Sequence, residues 1–324
     1  MNRKRIVYMD VYRGLAMLFV IISHVIDANF ISSFNMPVFL FASGFFLKPI
    51  HKEKNISIIK TFVKKNQVLI YSYILYSLLL CLGSIRILRL LVTNVWLTLT
   101  LNGIGTLWYI STLILGSFIT TLLLQKFSKR TVLFISVLLL IVVYFTGLYL
   151  QSDLFKTDFG RLIYYIITSI VRPCSFVFFL SISYFSKDFI LTFFNKLSSL
   201  KIESLLFLIS TALLLWLSSY VGHVDMHIML LGNLPIFIMT SCIGCIMLLS
   251  LSKLINRFTF PTKVFEYIGT NTIFIMVTHY TILPFIRVEN ALYTFFLIIL
   301  IELVSTYIIG ERIKLFISKS VRKG

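Results

Sequence analysis

Apolar stretches, most of them of about twenty residues and each long enough to cross a hydrocarbon layer, recur from one end of this 324-residue chain to the other. No other feature narrows the fold as much. In lipid every backbone N–H and C=O must be satisfied internally, which leaves helices or a closed barrel. A barrel would read as short segments of alternating polarity, and the chain shows none. With 58% hydrophobic and 13% charged residues and a mean hydropathy of +0.96, a water-soluble domain of this size is excluded. The expectation is an all-α polytopic membrane protein formed by one integral-membrane domain over 1–324. There is no soluble module, low-complexity segment or convincing internal repeat.

The pattern predicts about ten transmembrane helices, near 7–31, 34–50, 67–83, 104–124, 131–151, 161–185, 203–221, 229–251, 265–286 and 291–310. Ile87 to Leu101 is also apolar but is interrupted by Arg89, Thr93, Asn94 and Thr98, and is read as interfacial or re-entrant. Basic residues test this arrangement, because cytoplasmic loops collect Lys and Arg. With the N-terminus inside, Arg86, Arg89, Lys156, Arg161 and Arg287 fall outside, Arg13 and Arg172 fall within spans, and every other Lys and Arg falls on the cytoplasmic side. Both termini are therefore expected in the cytoplasm. The same distribution accounts for the net charge of +18 without nucleic acid. Met1 to Arg5 followed by an apolar run resembles a signal peptide, but the run is too long and lacks a small-residue cleavage site. Cys81, Cys174, Cys242 and Cys245 read as small packing residues, since Cys242-x-x-Cys245 lacks a second Cys/His pair nearby.

Charged groups inside a membrane are costly and mark functional sites. Arg13 and His24 lie on the first span, eleven residues apart. That spacing is about three turns and roughly 16 Å, and it returns to nearly the same face. An imidazole at the depth of His24 suits a general base near neutral pH; the plain alternative is a helix-end histidine bonded to a carbonyl. Arg13 suits an anionic group, such as a phosphate, entering from the cytoplasm; its plain alternative is snorkelling to the inner headgroups. Asp10 is three residues before Arg13 and suited to pair with it. Asp27, one turn beyond His24, reads as solvated or as an orienting group.

Further candidates are weaker. Arg172, followed by Pro173, is read as a second donor-binding or oxyanion-stabilising group, or as half of a structural ion pair with Glu302. His279 is read as flanking the acceptor beside His24, or as a bonded core residue. Trp108 and Tyr109 are belt aromatics or a sugar-stacking platform, with Asn102, Thr106 and Ser111 nearby for hydroxyls. His223, Asp225 and His227 would bring two histidines onto one face if their loop were helical, but no further ligand is evident. They are read as a solvated loop or an acceptor contact, and no metal site is assigned. Asp153, Asp158 and Arg161 read as a solvated outer loop. Ser43 and Gly44 read as permitting close helix packing.

Several segments, in order, resemble membrane acyltransferase family 3. "YMDVYRGLAMLFVIISHV" is similar to its opening helix, with Asp10, Arg13-Gly14 and the Arg-x10-His spacing ending at His24. "FNMPVFLFASGFFLK" resembles its second helix through Met36, Pro37, Phe39, Ser43, Gly44 and Phe45. "GTLWYISTLILGS" resembles its fourth at Leu107, Trp108 and Tyr109. "FEYIGTNTIFIMVTHY" resembles its penultimate helix at Gly269, Asn271, Thr272 and His279. "RPCSFVFFLSISY" resembles the surface-polysaccharide O-acetyltransferase (fucose 4-O-acetylase-like) branch, with Ser181, Ile182 and Ser183 where that branch has a glycine.

The resemblance implies transfer of an acyl group, usually acetyl, from cytoplasmic acyl-CoA to a hydroxyl handled at the outer face. Acetyl-CoA is then the expected donor substrate, with no bound cofactor. The expected partners are acyl-CoA, a glycan or lipid-linked glycan acceptor, and membrane lipid. The expected location is the bacterial cell membrane. The basic stretch Lys48 to Lys65 would attract the coenzyme phosphates. The rival reading is a transporter or flippase of a lipid-linked sugar, which leaves the Arg-x10-His spacing unexplained and would more often show paired repeats.

Overall fold

The computed structural model describes residues 5–26, 29–47, 58–152, 155, 157–196, 199–286 and 288–323, and these are helical but for loops and one small hairpin. In chain order come α1 (Val7–Val25), α2 (Asn29–Ser32), α3 (Asn35–Phe45), α4 (Ile58–Lys65), α5 (Gln67–Gly83), α6 (Leu88–Leu99), α7 (Leu107–Lys126) and α8 (Lys129–Leu150). They are followed by α9 (Asp158–Lys196), α10 (Leu200–Val221), the strands β1 (Val224–Asp225) and β2 (Leu230–Leu231), α11 (Leu234–Ile255), α12 (Thr259–Thr270), α13 (Thr272–Ile286) and α14 (Ala291–Ser305). A π-helical turn, Thr306–Gly310, joins α14 to α15 (Glu311–Lys323).

Among the described residues seven helices are long and apolar enough to cross a membrane, or eight if α4 and α5, bent by 71° at their junction, form one span. The ten expected stretches are therefore not each one long helix among the described residues. Among the described residues of the stretch 34–50 the helix is the 11 residues of α3, about half a hydrocarbon thickness. The stretch 265–286 is divided at Asn271, whose side-chain Nδ2 donates to the Tyr267 carbonyl at 2.9 Å where the helix stops. Boundaries shift elsewhere too. The first span ends at Val25 rather than 31, while α9 runs to Lys196 because no Gly or Pro follows Pro173 to stop it. Leu88–Leu99 is a helix of 12 residues, too short to cross unaided.

The chain divides into two compact units, with the boundary inside α9 between Tyr184 and Phe185. The first holds Met1–Phe45, Phe185–Asp225 and Leu231–Gly310. At its centre α1 packs against α3, α11, α12 and α13, and most of α1 is buried. Two glycines let α1 and α12 touch backbone to backbone. A Cβ on Gly14 would fall on the Phe265 carbonyl oxygen, and one on Gly269 would fall on that of Asp10. In the same unit Arg257 bonds Glu203, itself 2% exposed, at 2.8 Å. The hydrogen bond to Glu203 holds the guanidinium above its ordinary pKa.

The second unit holds Phe46–Tyr184, Met226–Leu230 and Glu311–Gly324. Here α5 packs against α6, α7 and α15, and α7 meets α8. The loop before α7 uses left-handed backbone at Leu101, Gly103 and Gly105 to turn within a short length.

Candidate active site

In the first unit α1 carries a charged cluster near its N-terminal end and an aromatic-imidazole cluster near its C-terminal end. At the first, Asp10 is buried and accepts from Arg5 Nε at 2.8 Å. Arg5 also reaches Glu266 on α12 at 2.8 Å. Arg13 Nη1 stands 3.7 Å from the other Asp10 oxygen. The bond to Asp10 raises the Arg5 pKa above its ordinary value. Asp10 thus gives its closer contact to Arg5, and the side chain of Arg13 stays 31% exposed on a helix that is otherwise mostly buried. A guanidinium held near a carboxylate and partly exposed is of a kind suited to an anion.

At the far end His24 is exposed. Its ring lies 5.3 Å from that of His279 and 5.3 Å from that of Tyr280, both on α13. The Asp225 carboxylate, at the hairpin, is near enough to interact with His24 electrostatically. His279 is 1% exposed, with Nδ1 2.8 Å from the Ile275 carbonyl. The adjacent Thr278 donates to Glu302 of α14 at 2.8 Å, and Glu302 is 2% exposed. Asp27, the acid suited by sequence to orient His24, lies outside the described residues. So do Lys48, Lys52 and Lys54 of the basic stretch, as well as Asp153, Lys156 and Arg287. Lys60, Lys64 and Lys65 sit on α4.

The second unit gathers the remaining candidates. Arg172 is 1% exposed. Its Nε donates to Thr112 Oγ1 at 3.1 Å, Nη1 to the His227 carbonyl at 3.2 Å and Nη2 to the Asn102 carbonyl at 3.0 Å. The guanidinium also lies 5.2 Å from the Trp108 ring centre, and the His227 ring stands 5.2 Å from the same indole. Trp108 is therefore half-buried between a cation and an imidazole, a different setting from a lipid-interface belt, and Tyr109 beside it is buried. Asn102, expected to serve hydroxyls, is committed internally. Its Nδ2 donates to the Tyr165 carbonyl at 2.6 Å and its Oδ1 accepts from Thr168 at 3.0 Å. Ser111 likewise donates to the Trp108 carbonyl at 3.0 Å.

The helical spacing that a His223–His227 zinc pair requires is absent, because that segment is a strand and a turn. Among the described residues no group of three or more His, Cys, Asp or Glu is placed to hold a metal. Sequence reasoning did not single out Arg5, Glu266 or Tyr280, and it did not connect Asp225 with His24. Apart from Arg5, which stands five residues before Asp10, their signal is long-range packing, which a single sequence does not display.

A multi-helix membrane body in which one central helix offers an anchored guanidinium and an accessible imidazole suits group transfer from an anionic donor. No curated protein and no solved structure matches the chain. A family model described as an acyltransferase domain matches residues 6–310, which takes in every residue of the clusters described above but Arg5. The chain belongs to this family, acyltransferase family 3, and is a multi-pass membrane acyltransferase.

Proposed function

We propose that the protein is an O-acetyltransferase of the bacterial cell membrane that moves an acetyl group from cytoplasmic acetyl-CoA to a sugar hydroxyl. The acceptor is a surface polysaccharide or its lipid-linked precursor, as in the surface-polysaccharide branch. The observation that carries the reading is α1 itself, since a partly exposed cation and an exposed imidazole stand three turns apart on the helix at the centre of its unit. Family membership sets aside the flippase reading, which has no use for a base at that position.

In the proposed mechanism Arg13, held by Asp10, binds a phosphate of the donor, and the basic cytoplasmic loops draw the coenzyme toward it. His24 removes the proton from the acceptor hydroxyl as its oxygen attacks the thioester carbonyl. The tetrahedral intermediate collapses by breaking the C–S bond, and the leaving thiolate takes the proton back from the His24 imidazolium. The products are the ester and free coenzyme A, with the enzyme unchanged. Trp108, half-buried with Tyr109 packed beside it, is proposed separately, within its own unit, as an aromatic surface for sugar. Arg172, bonded to two carbonyls and a hydroxyl, holds that tryptophan and the loop before α7 in place.

Membranes from cells making the protein, supplied with labelled acetyl-CoA and their own acceptor, test this reading. Wild-type membranes transfer the label, and His24→Ala lowers the rate by about 10²–10⁴-fold, the usual contribution of a general base. Equal transfer by the variant removes His24 from the role.

A further inference from the structure

The second imidazole of the α1–α13 cluster has a fixed tautomer and an unused nitrogen. His279 Nδ1 lies 2.8 Å from the Ile275 carbonyl, one turn earlier on its own helix. A carbonyl only accepts, so Nδ1 carries the hydrogen, and Nε2 of the neutral ring is an acceptor. That Nε2 is buried and has no hydrogen-bond partner, which is costly for a polar atom inside a protein and calls for an explanation. The His24 ring stands 5.3 Å away, centre to centre, with the planes 40° apart. Two imidazoles joined by an N–H···N bond have centres about 5 Å apart, taking roughly 2.9 Å between nitrogens and about 1.1 Å from each nitrogen to its ring centre. The observed centre-to-centre separation is compatible with that bond, and catalytic hydrogen bonds commonly tighten only when substrate is bound.

We propose that His279 is the positioning residue for His24. Its Nε2 accepts the N–H of one His24 nitrogen, which leaves the other His24 nitrogen bare and turned toward the acceptor hydroxyl. The inference rests on His24 being the base. The hydroxyl proton goes to His24 and then to the departing thiolate, while His279 keeps its Nδ1 hydrogen throughout because Ile275 holds it. In this arrangement a neutral imidazole does what a carboxylate does in a catalytic triad.

Other titratable groups surround the pair. Tyr280 of α13 presents its ring to His24 and is 48% exposed. Asp225 acts on His24 from the hairpin. Glu302 of α14 reaches the next turn through Thr278. Asp225 is the competing orienting group, and the test must separate it from His279.

The test uses native membranes with labelled acetyl-CoA and their own acceptor, comparing wild type with His24→Ala, His279→Ala, His279→Gln and Asp225→Asn. Rate is measured against pH and against acetyl-CoA concentration. The expected result for His279→Ala is a fall in kcat on the order of 10–100-fold, with KM for acetyl-CoA held and the pH profile displaced. Glutamine keeps an acceptor oxygen, so His279→Gln recovers most of the lost rate. Wild-type rate and profile in His279→Ala overturn the proposal. A loss that glutamine does not restore, or a displaced profile in Asp225→Asn but not in either His279 variant, also overturns it. If His279→Ala fails to accumulate, His279→Gln decides: near-wild-type kcat supports the role, and a loss as large as that of His24→Ala contradicts it. Undiminished transfer by His24→Ala would defeat the functional reading, whereas loss there with unchanged His279 variants would defeat this inference alone.

Discussion

Arg172 and Arg13 show how one residue type serves two purposes in one membrane protein. Arg172 is 1% exposed and its fork is spent on Thr112 and on the carbonyls of Asn102 and His227. Thr112 and Asn102 are buried, so removing the guanidinium leaves their acceptors unsatisfied at about 1–3 kcal/mol each. Arg172→Met is predicted to lower the melting temperature of the detergent-solubilised protein by several degrees. Arg172→Lys is predicted not to restore it, because an ammonium cannot span three acceptors in a plane. An unchanged Tm would contradict the bracing role. Arg13, by contrast, keeps its side chain 31% exposed and lies 3.7 Å from Asp10. The sequence marks both arginines as unusual by their place in apolar runs. It does not distinguish them, because the difference lies in partners dozens of residues away.

At the scale of elements, the motif glycines and the motif asparagine prove to be about packing. Gly14 and Gly269 face each other's helices so closely that either Cβ would overlap a carbonyl of the opposite backbone. Asn271 closes α12 through the Tyr267 carbonyl, which makes the Gly-Thr-Asn stretch a helix break between Gly269 and His279. Gly269→Ala is predicted to push α12 from α1, at the cost of about 1–3 kcal/mol typical of overpacking, and to disturb Arg13 through Asp10. Gly83→Ala, where nothing lies within 4 Å of the added carbon, is predicted to change stability by no more than about 1 kcal/mol. Thermal unfolding and label transfer on both variants check this, and equal behaviour would refute the close-contact account. Helices such as α7, α8 and α10 were legible because apolar length alone defines them. The short α3 and the broken α12–α13 pair were not, since hydropathy continues past both helix ends, and only at Asn271 does a side-chain hydrogen bond mark the break.

At the scale of the molecule, the topology expected from the charge bias puts Ser128, between α7 and α8, on the cytoplasmic side and Gly222, at the end of α10, on the outer side. In a protein whose four natural cysteines are replaced, Gly222→Cys is predicted to react with an impermeant thiol reagent in intact cells, and Ser128→Cys only after permeabilisation. The reverse pattern would invert the proposed route of the donor. The central claim is that the accessible cation and imidazole of α1 make this membrane acyltransferase an acetylase of surface sugar. Mass analysis of the surface glycan tests it most directly, in a strain lacking the protein and in the same strain supplied with the wild type, His24→Ala or Arg13→Ala. The account predicts that one acetyl unit per modified sugar disappears with the protein, returns with the wild type and stays absent with His24→Ala. Arg13→Ala is predicted to return only a fraction of it. Full acetylation restored by His24→Ala, or a glycan mass that never changes, would contradict the account.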